Sequence, residues 1–146
     1  MNLSRLAAGL LLGFLAAGCV PSTPTPSDWT GQASRALDSV AGEVATARIV
    51  LREHRQDDLL GKAAVVMLVD AEESLGKTSD DLASTQAPRG RARQYDKVTS
   101  EIDEASSLVT EARAAAVAND DTSFPDLEAK LRREEKDLKD LAGALR

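Results

Sequence analysis

The chain is poor in the residues that usually carry chemistry. It has one cysteine, Cys19, and one histidine, His54. A lone cysteine closes no internal disulfide and builds no cysteine-paired metal site. A lone histidine among scattered carboxylates supplies no convergent catalytic constellation. Aromatic residues make up 3% of the chain. Only Trp29, Tyr95 and Phe124 follow the first 18 residues, too few for base-stacking platforms. Basic excess is missing as well: the formal net charge is −6, a poor basis for nucleic-acid binding. Phosphate loops, haem-attachment motifs and dinucleotide fingerprints are absent. No stretch alternates with period two for long enough to make a sheet. The longest apolar run, from Leu6 to Ala17, is shorter than the roughly 20 residues a transmembrane helix needs. These absences point to a protein with no catalytic residues, no cofactor, no metal and no nucleic-acid partner.

What is present begins at the N-terminus. Arg5 precedes the apolar run, and Ala16, Ala17 and Gly18 are small residues directly before Cys19. A charged start, an apolar middle and small residues at the exit form the layout of a secretory signal peptide. No paired arginines precede the run, which favours the general secretory route. Leu15-Ala16-Ala17-Gly18-Cys19 resembles the lipobox of bacterial lipoproteins, with Leu15 one position further from the cysteine than is usual. The resemblance implies cleavage between Gly18 and Cys19. It further implies a diacylglycerol on the Cys19 sulfur and an anchor in the outer face of the cell membrane. Two acyl chains hold a protein on a bilayer stably, whereas one does so only marginally.

Val20-Pro21-Ser22-Thr23-Pro24-Thr25-Pro26-Ser27 reads as an extended tether, since proline-rich Ser/Thr sequence forms neither helix interior nor central strand. The expected organisation is a signal peptide over 1–18, a lipidated N-terminus and tether over 19–27, and a folded domain over 28–146.

That domain reads as all-α. Trp29, Ala33, Ala36, Leu37, Val40, Val44, Ala47 and Leu51 recur in steps of one helical face, with Ser27 or Asp28 as the expected N-cap. A second helix is expected from about Asp58 or Gly61 to Ser84, its face marked by Ala63, Val66, Met67, Asp70, Ala71, Leu75 and Leu82, with Asp70 the polar exception. Ala63 to Val69 is apolar all round and reads as a deeply buried turn. Pro88 suits the start of a third helix, with Ala92, Tyr95, Val98, Ile102, Ala105, Val109, Ala112 and Ala116 on one face. In the fourth, Ser123 is the expected cap and Pro125 the first-turn proline. Its stripe is Leu127, Leu131, Leu138, Leu141 and Leu145, interrupted by Glu134 and Glu135, so this helix is expected to cover the bundle loosely near its middle. Pairs four apart, Glu128–Arg132, Lys130–Glu134, Glu135–Lys139 and Lys136–Asp140, should support it. Four helices with short turns predict an antiparallel up-down-up-down four-helix bundle. Alanine on the first and third helices leaves the larger Leu and Val to the second and fourth.

The candidate sites are few. His54, with Glu53 and Asp57, could serve as a base or ligand, but at the end of the first helix a cation also suits the helix dipole. Asp70, if buried, needs an arginine such as Arg48 or Arg113. Asp120-Asp121 is the best weak cation candidate among five acidic pairs. Arg89, Arg91 and Arg93 form the densest basic cluster, at a helix start where cations oppose the dipole. A contact with anionic lipid headgroups or envelope polymers is one use for them, since that turn shares an end of the bundle with the tether. In its Ala, Arg, Asp and Val richness and its tethered helical domain, the chain resembles small envelope lipoproteins of high-GC Gram-positive bacteria. The resemblance implies no activity. The expected role is structural or protein-interacting, with the bilayer and an envelope protein as partners. The alternative is a module that binds a small ligand or cation.

Overall fold

The computed structural model describes residues 25–57, 59–85, 87 and 89–146. Gly18, Cys19, most of the tether and Pro88 lie outside the described residues. Within them the chain forms four helices and no strand: α1 (Pro26–Arg55), α2 (Gly61–Ala83), α3 (Ala92–Ala118) and α4 (Phe124–Leu145). Cross-links between the helices fix the topology. Gln32 donates to Thr85 at 2.9 Å and Ser34 to the Ala142 carbonyl at 3.0 Å, so α1 begins where α2 and α4 end. The Trp29 and Tyr95 rings lie 6.3 Å apart, bringing the start of α3 to the same end. At the other end Arg55 donates to Glu128 at 3.1 Å. This is the antiparallel four-helix bundle that the hydrophobic spacing predicts, with α1 and α3 on one diagonal and also in contact.

The core follows the expected division of sizes. Ala33, Ala41 and Ala47 of α1 and Ala105, Ala112 and Ala116 of α3 are buried, as are Leu68, Leu75 and Leu82 of α2 and Leu127, Leu131 and Leu138 of α4. Small residues on one diagonal let leucines from the other two helices fill the centre. Each such leucine gains roughly 1.5–3 kcal/mol from burial.

Four expectations are corrected. First, α1 begins earlier: Thr25 is its N-cap and Pro26 lies in its first turn, so Pro26 and Ser27 belong to the helix and not to a tether. The Thr25 hydroxyl accepts from the Asp28 amide while Asp28 Oδ2 accepts from the Thr25 amide, each at 3.2 Å. This reciprocal capping box satisfies two amides that α1 would otherwise leave open. The hydrogen bonds from Thr25 hold the Asp28 carboxyl below its ordinary range.

Second, Ser123 caps no amide of α4 by its side chain; its hydroxyl instead donates to the Asp120 carbonyl at 2.9 Å. Third, Val66 and Met67 are not buried. The inward face of α2 is Ala64, Leu68, Ala71, Leu75 and Leu82, one register away, and it turns those two outward. Fourth, α4 does not lie loosely on the bundle. Glu134 and Glu128 are themselves buried, and α4 packs closely along α1. The α4 ion pairs divide accordingly. Glu135–Lys139 and Lys136–Asp140 form. Glu128 is drawn instead to Arg55, and Lys130 turns to Asp126 and Glu111.

Candidate functional site

His54 sits in the last turn of α1, where α1 hands over to α2. Its Nδ1 donates to the Leu59 carbonyl at 3.1 Å, and its ring lies 5.6 Å from Phe124. A Cβ on Gly61 would come within 3.3 Å of the imidazole, so glycine lets α2 start tight against the ring. Glu53 is engaged by Arg52 at 2.8 Å, and Asp57 is exposed in a left-handed turn with φ 60°. The structure thus gives His54 a packing and chain-linking position and does not assemble it with Glu53 and Asp57. Among the described residues no group of three or more His, Cys, Asp or Glu side chains is placed to hold a metal ion.

Asp120 and Asp121 occupy the turn between α3 and α4. Asn119 ends α3 with φ 51°, its amide donating to Ala116 and the Asp120 amide to Ala115. This is the paired-bond ending that satisfies the last carbonyls of a helix. Asp120 Oδ1 accepts from the Thr122 hydroxyl at 2.6 Å, which holds its carboxyl below the ordinary range. Its lone pairs serve the turn. Asp70 is exposed on α2. The two arginines considered for it are engaged elsewhere: Arg48 with Glu135 at 3.2 Å and Arg113 with Glu72 at 2.7 Å.

The basic turn before α3 lies at the Thr25 end. Arg89 and Arg93 are exposed, and Arg91 donates to Gln94 at 2.6 Å. Gly90 takes φ 82°, a conformation that side-chain-bearing residues rarely adopt. α3 has no acidic residue in its first turn, so these cations stand at the positive pole of its dipole without local compensation.

Two features stand apart from the sites that the sequence favoured. One is Glu134, 7% exposed on the inner face of α4, with Oε1 out of solvent and lacking a hydrogen-bond partner among the described residues. Desolvation first, and then the charges of Glu101, Glu104 and Asp137, push its carboxyl up to about 7. The other is an apolar groove of about 700 Å³ between the start of α2 and the end of α3, lined by Val65, Val66, Ala116 and Val117 together with Gly61, Lys62 and Asn119. Val66 and Val117 are 59% and 57% exposed. The signal for it was Val65-Val66-Met67-Leu68-Val69, which carries more apolar side chains than one helical face can bury.

With this geometry in hand, comparison with family models, with curated proteins and with solved structures finds no match.

Proposed function

We propose that this chain is an exported lipoprotein, held on the outer face of the cell membrane by a diacylglycerol on Cys19, with a non-catalytic structural or protein-interaction role. The observation that carries the reading is the arrangement Arg5, apolar run, Ala17-Gly18-Cys19, followed after a short proline-rich stretch by the cap of α1 at Thr25. The bundle's polarity supports it. The end where α1 begins also carries Arg89, Arg91 and Arg93, so a chain anchored just ahead of Thr25 turns three cations toward anionic headgroups. Near such a surface each cation contributes about 1 kcal/mol.

Radioactive palmitate supplied to cells making the chain tests the anchor. Label on the unaltered chain and none on Cys19→Ser is the expected result. Equal labelling of both, or an unlabelled wild type, overturns the reading.

A further inference from the structure

α4 carries two buried glutamates, and the fold treats them differently. Glu128 is met by Arg55 of α1 at 3.1 Å. Glu134 has no such partner. No ion pair reaches it among the described residues, and its Oε1 lies out of solvent without a donor. The charges that act on it are all negative: Glu101 and Glu104 from α3 and Asp137 from its own helix. α1 supplies no compensating cation, because its Arg48 is bound to Glu135, the next residue of α4. α2 lies across the diagonal and does not touch α4. A carboxylate in such a place is costly, so Glu134 sheds its proton easily only where water reaches it.

The cross-links decide which seam gives way. α4 is tied to α1 along its whole length: Ser34 to the Ala142 carbonyl, Arg146 to Asp38, Arg48 to Glu135 and Arg55 to Glu128. Between α3 and α4 the described residues show a single polar link, Lys130 to Glu111 at 3.6 Å. Beyond that link, toward the Thr25 end, like charges oppose one another, with Glu101 and Glu104 on α3 and Glu134 and Asp137 on α4. There the seam also widens into a cavity of about 300 Å³ lined by Lys97, Glu101, Asp137, Asp140, Leu141 and Ala144. Its charged lining admits water within a turn of the buried carboxyl.

We propose that the α3–α4 seam is a pH-operated latch: protonated Glu134 lets α4 close on α3, and ionised Glu134 draws water in and opens that seam while α1 keeps its hold on α4. The sign follows from the packing. In the closed seam the carboxyl is raised from 4.5 to about 7, chiefly by desolvation, and in the opened seam it returns toward its ordinary range. The opening constant therefore rises by up to about tenfold per pH unit between those two values and levels off above them. The latch rests on the surroundings of Glu134 and does not depend on the anchor.

The test is amide hydrogen exchange of the full chain in a mild detergent, across the pH window and over a range of dilute urea. Local openings expose little surface and respond weakly to urea, whereas global unfolding responds strongly. Amides of 131–138 in α4 and 102–109 in α3 should exchange through a urea-insensitive opening whose constant grows at least tenfold across the window. Glu134→Gln cannot titrate and should hold that constant flat. Glu101→Lys, which places a cation across the seam from the ionised carboxyl, should reduce the rise. Exchange of these amides only through the urea-sensitive unfolding that also releases the core amides of α2 overturns the proposal. So does a rise of equal size in Glu134→Gln, or one that Glu101→Lys leaves unchanged.

Discussion

Replacing Glu134 by glutamine should change how the stability of this protein responds to pH. Glu134 lies on the core side of α4, and no group among the described residues donates to its Oε1. Burial favours the neutral acid, and the nearby charges of Glu101, Glu104 and Asp137 add to that, so its carboxyl is raised from the ordinary 4.5 to about 7. The sign is the reverse of the usual carboxylate case. Between those two values the folded protein holds a proton that the unfolded chain has released, so stability falls as pH rises through the window. Above the folded-state value the whole penalty is present, and below 4.5 it vanishes. At about 1.4 kcal/mol per tenfold change in proton affinity, the displacement corresponds to about 3 kcal/mol.

Glutamine keeps the shape and removes the titration. The quantity to measure is therefore the difference between Glu134→Gln and wild type, by urea unfolding followed by circular dichroism, on either side of the window. Comparison with wild type matters because other carboxylates act in the opposite sense. Glu135, for example, is lowered by its hydrogen bond from Lys139 and then by the charges of Lys139 and Arg48. The variant should gain up to about 3 kcal/mol relative to wild type on moving from the acid side to the alkaline side of the window. At acid pH it should equal wild type or fall about 1 kcal/mol below it, because the amide is still buried without a full set of partners. A difference that stays constant across the window would refute the burial argument.

Two further outcomes follow from the packing and the caps. Leu131→Ala empties a fully buried position where α4 meets the core, and should cost about 2–5 kcal/mol in the same unfolding assay. Thr25→Ala removes the hydroxyl that accepts from the Asp28 amide and should cost about 1 kcal/mol, with amide exchange accelerated in the first turn of α1 and unchanged in α3.

The spacing of apolar residues made the bundle legible because α3 obeys it almost without exception: Val98, Ile102, Ala105, Val109, Ala112 and Ala116 are all buried. It misled where two signals competed. Thr25-Pro26-Ser27-Asp28 has the form of a capping box, yet its proline extends a proline-rich stretch and so read as tether. Proline in the first helical turn loses nothing, since that amide has no partner within the helix. Glu134 read as an interruption of the α4 stripe because it is charged. Its place in the series Leu127, Leu131, Glu134, Leu138 already set it inward. In Val65 to Val69 periodicity pointed to the wrong register, with Val66 and Met67 inward, because every residue is apolar and any register fits. Leu68, Ala71 and Leu75 decided it by fixing the inner face, and Val66 and Met67 were left outside. The lips of the groove come from different helices, so no local pattern in the sequence could join Lys62 to Asn119.

The two ends of the bundle are finished by different physics, and that contrast gives the molecule its polarity. At the Thr25 end polar groups tie the termini together. Ser34 joins α1 to the last turn of α4, Arg146 holds Asp38 through both carboxylate oxygens at 2.9 Å, and Gln32 reaches Thr85. None of the exposed large apolar residues belongs to the turns at that end. At the far end the polar links, His54 to Leu59 and Arg55 to Glu128, fasten α1 to its neighbours, while the seam between α2 and α3 is closed by apolar side chains that remain wet. Leu60, which starts α2, is 82% exposed and supplies no cap. Each apolar Å² left in water there forgoes roughly 25 cal/mol of burial. This wet apolar seam lies at the end facing away from the cations and the start of α1.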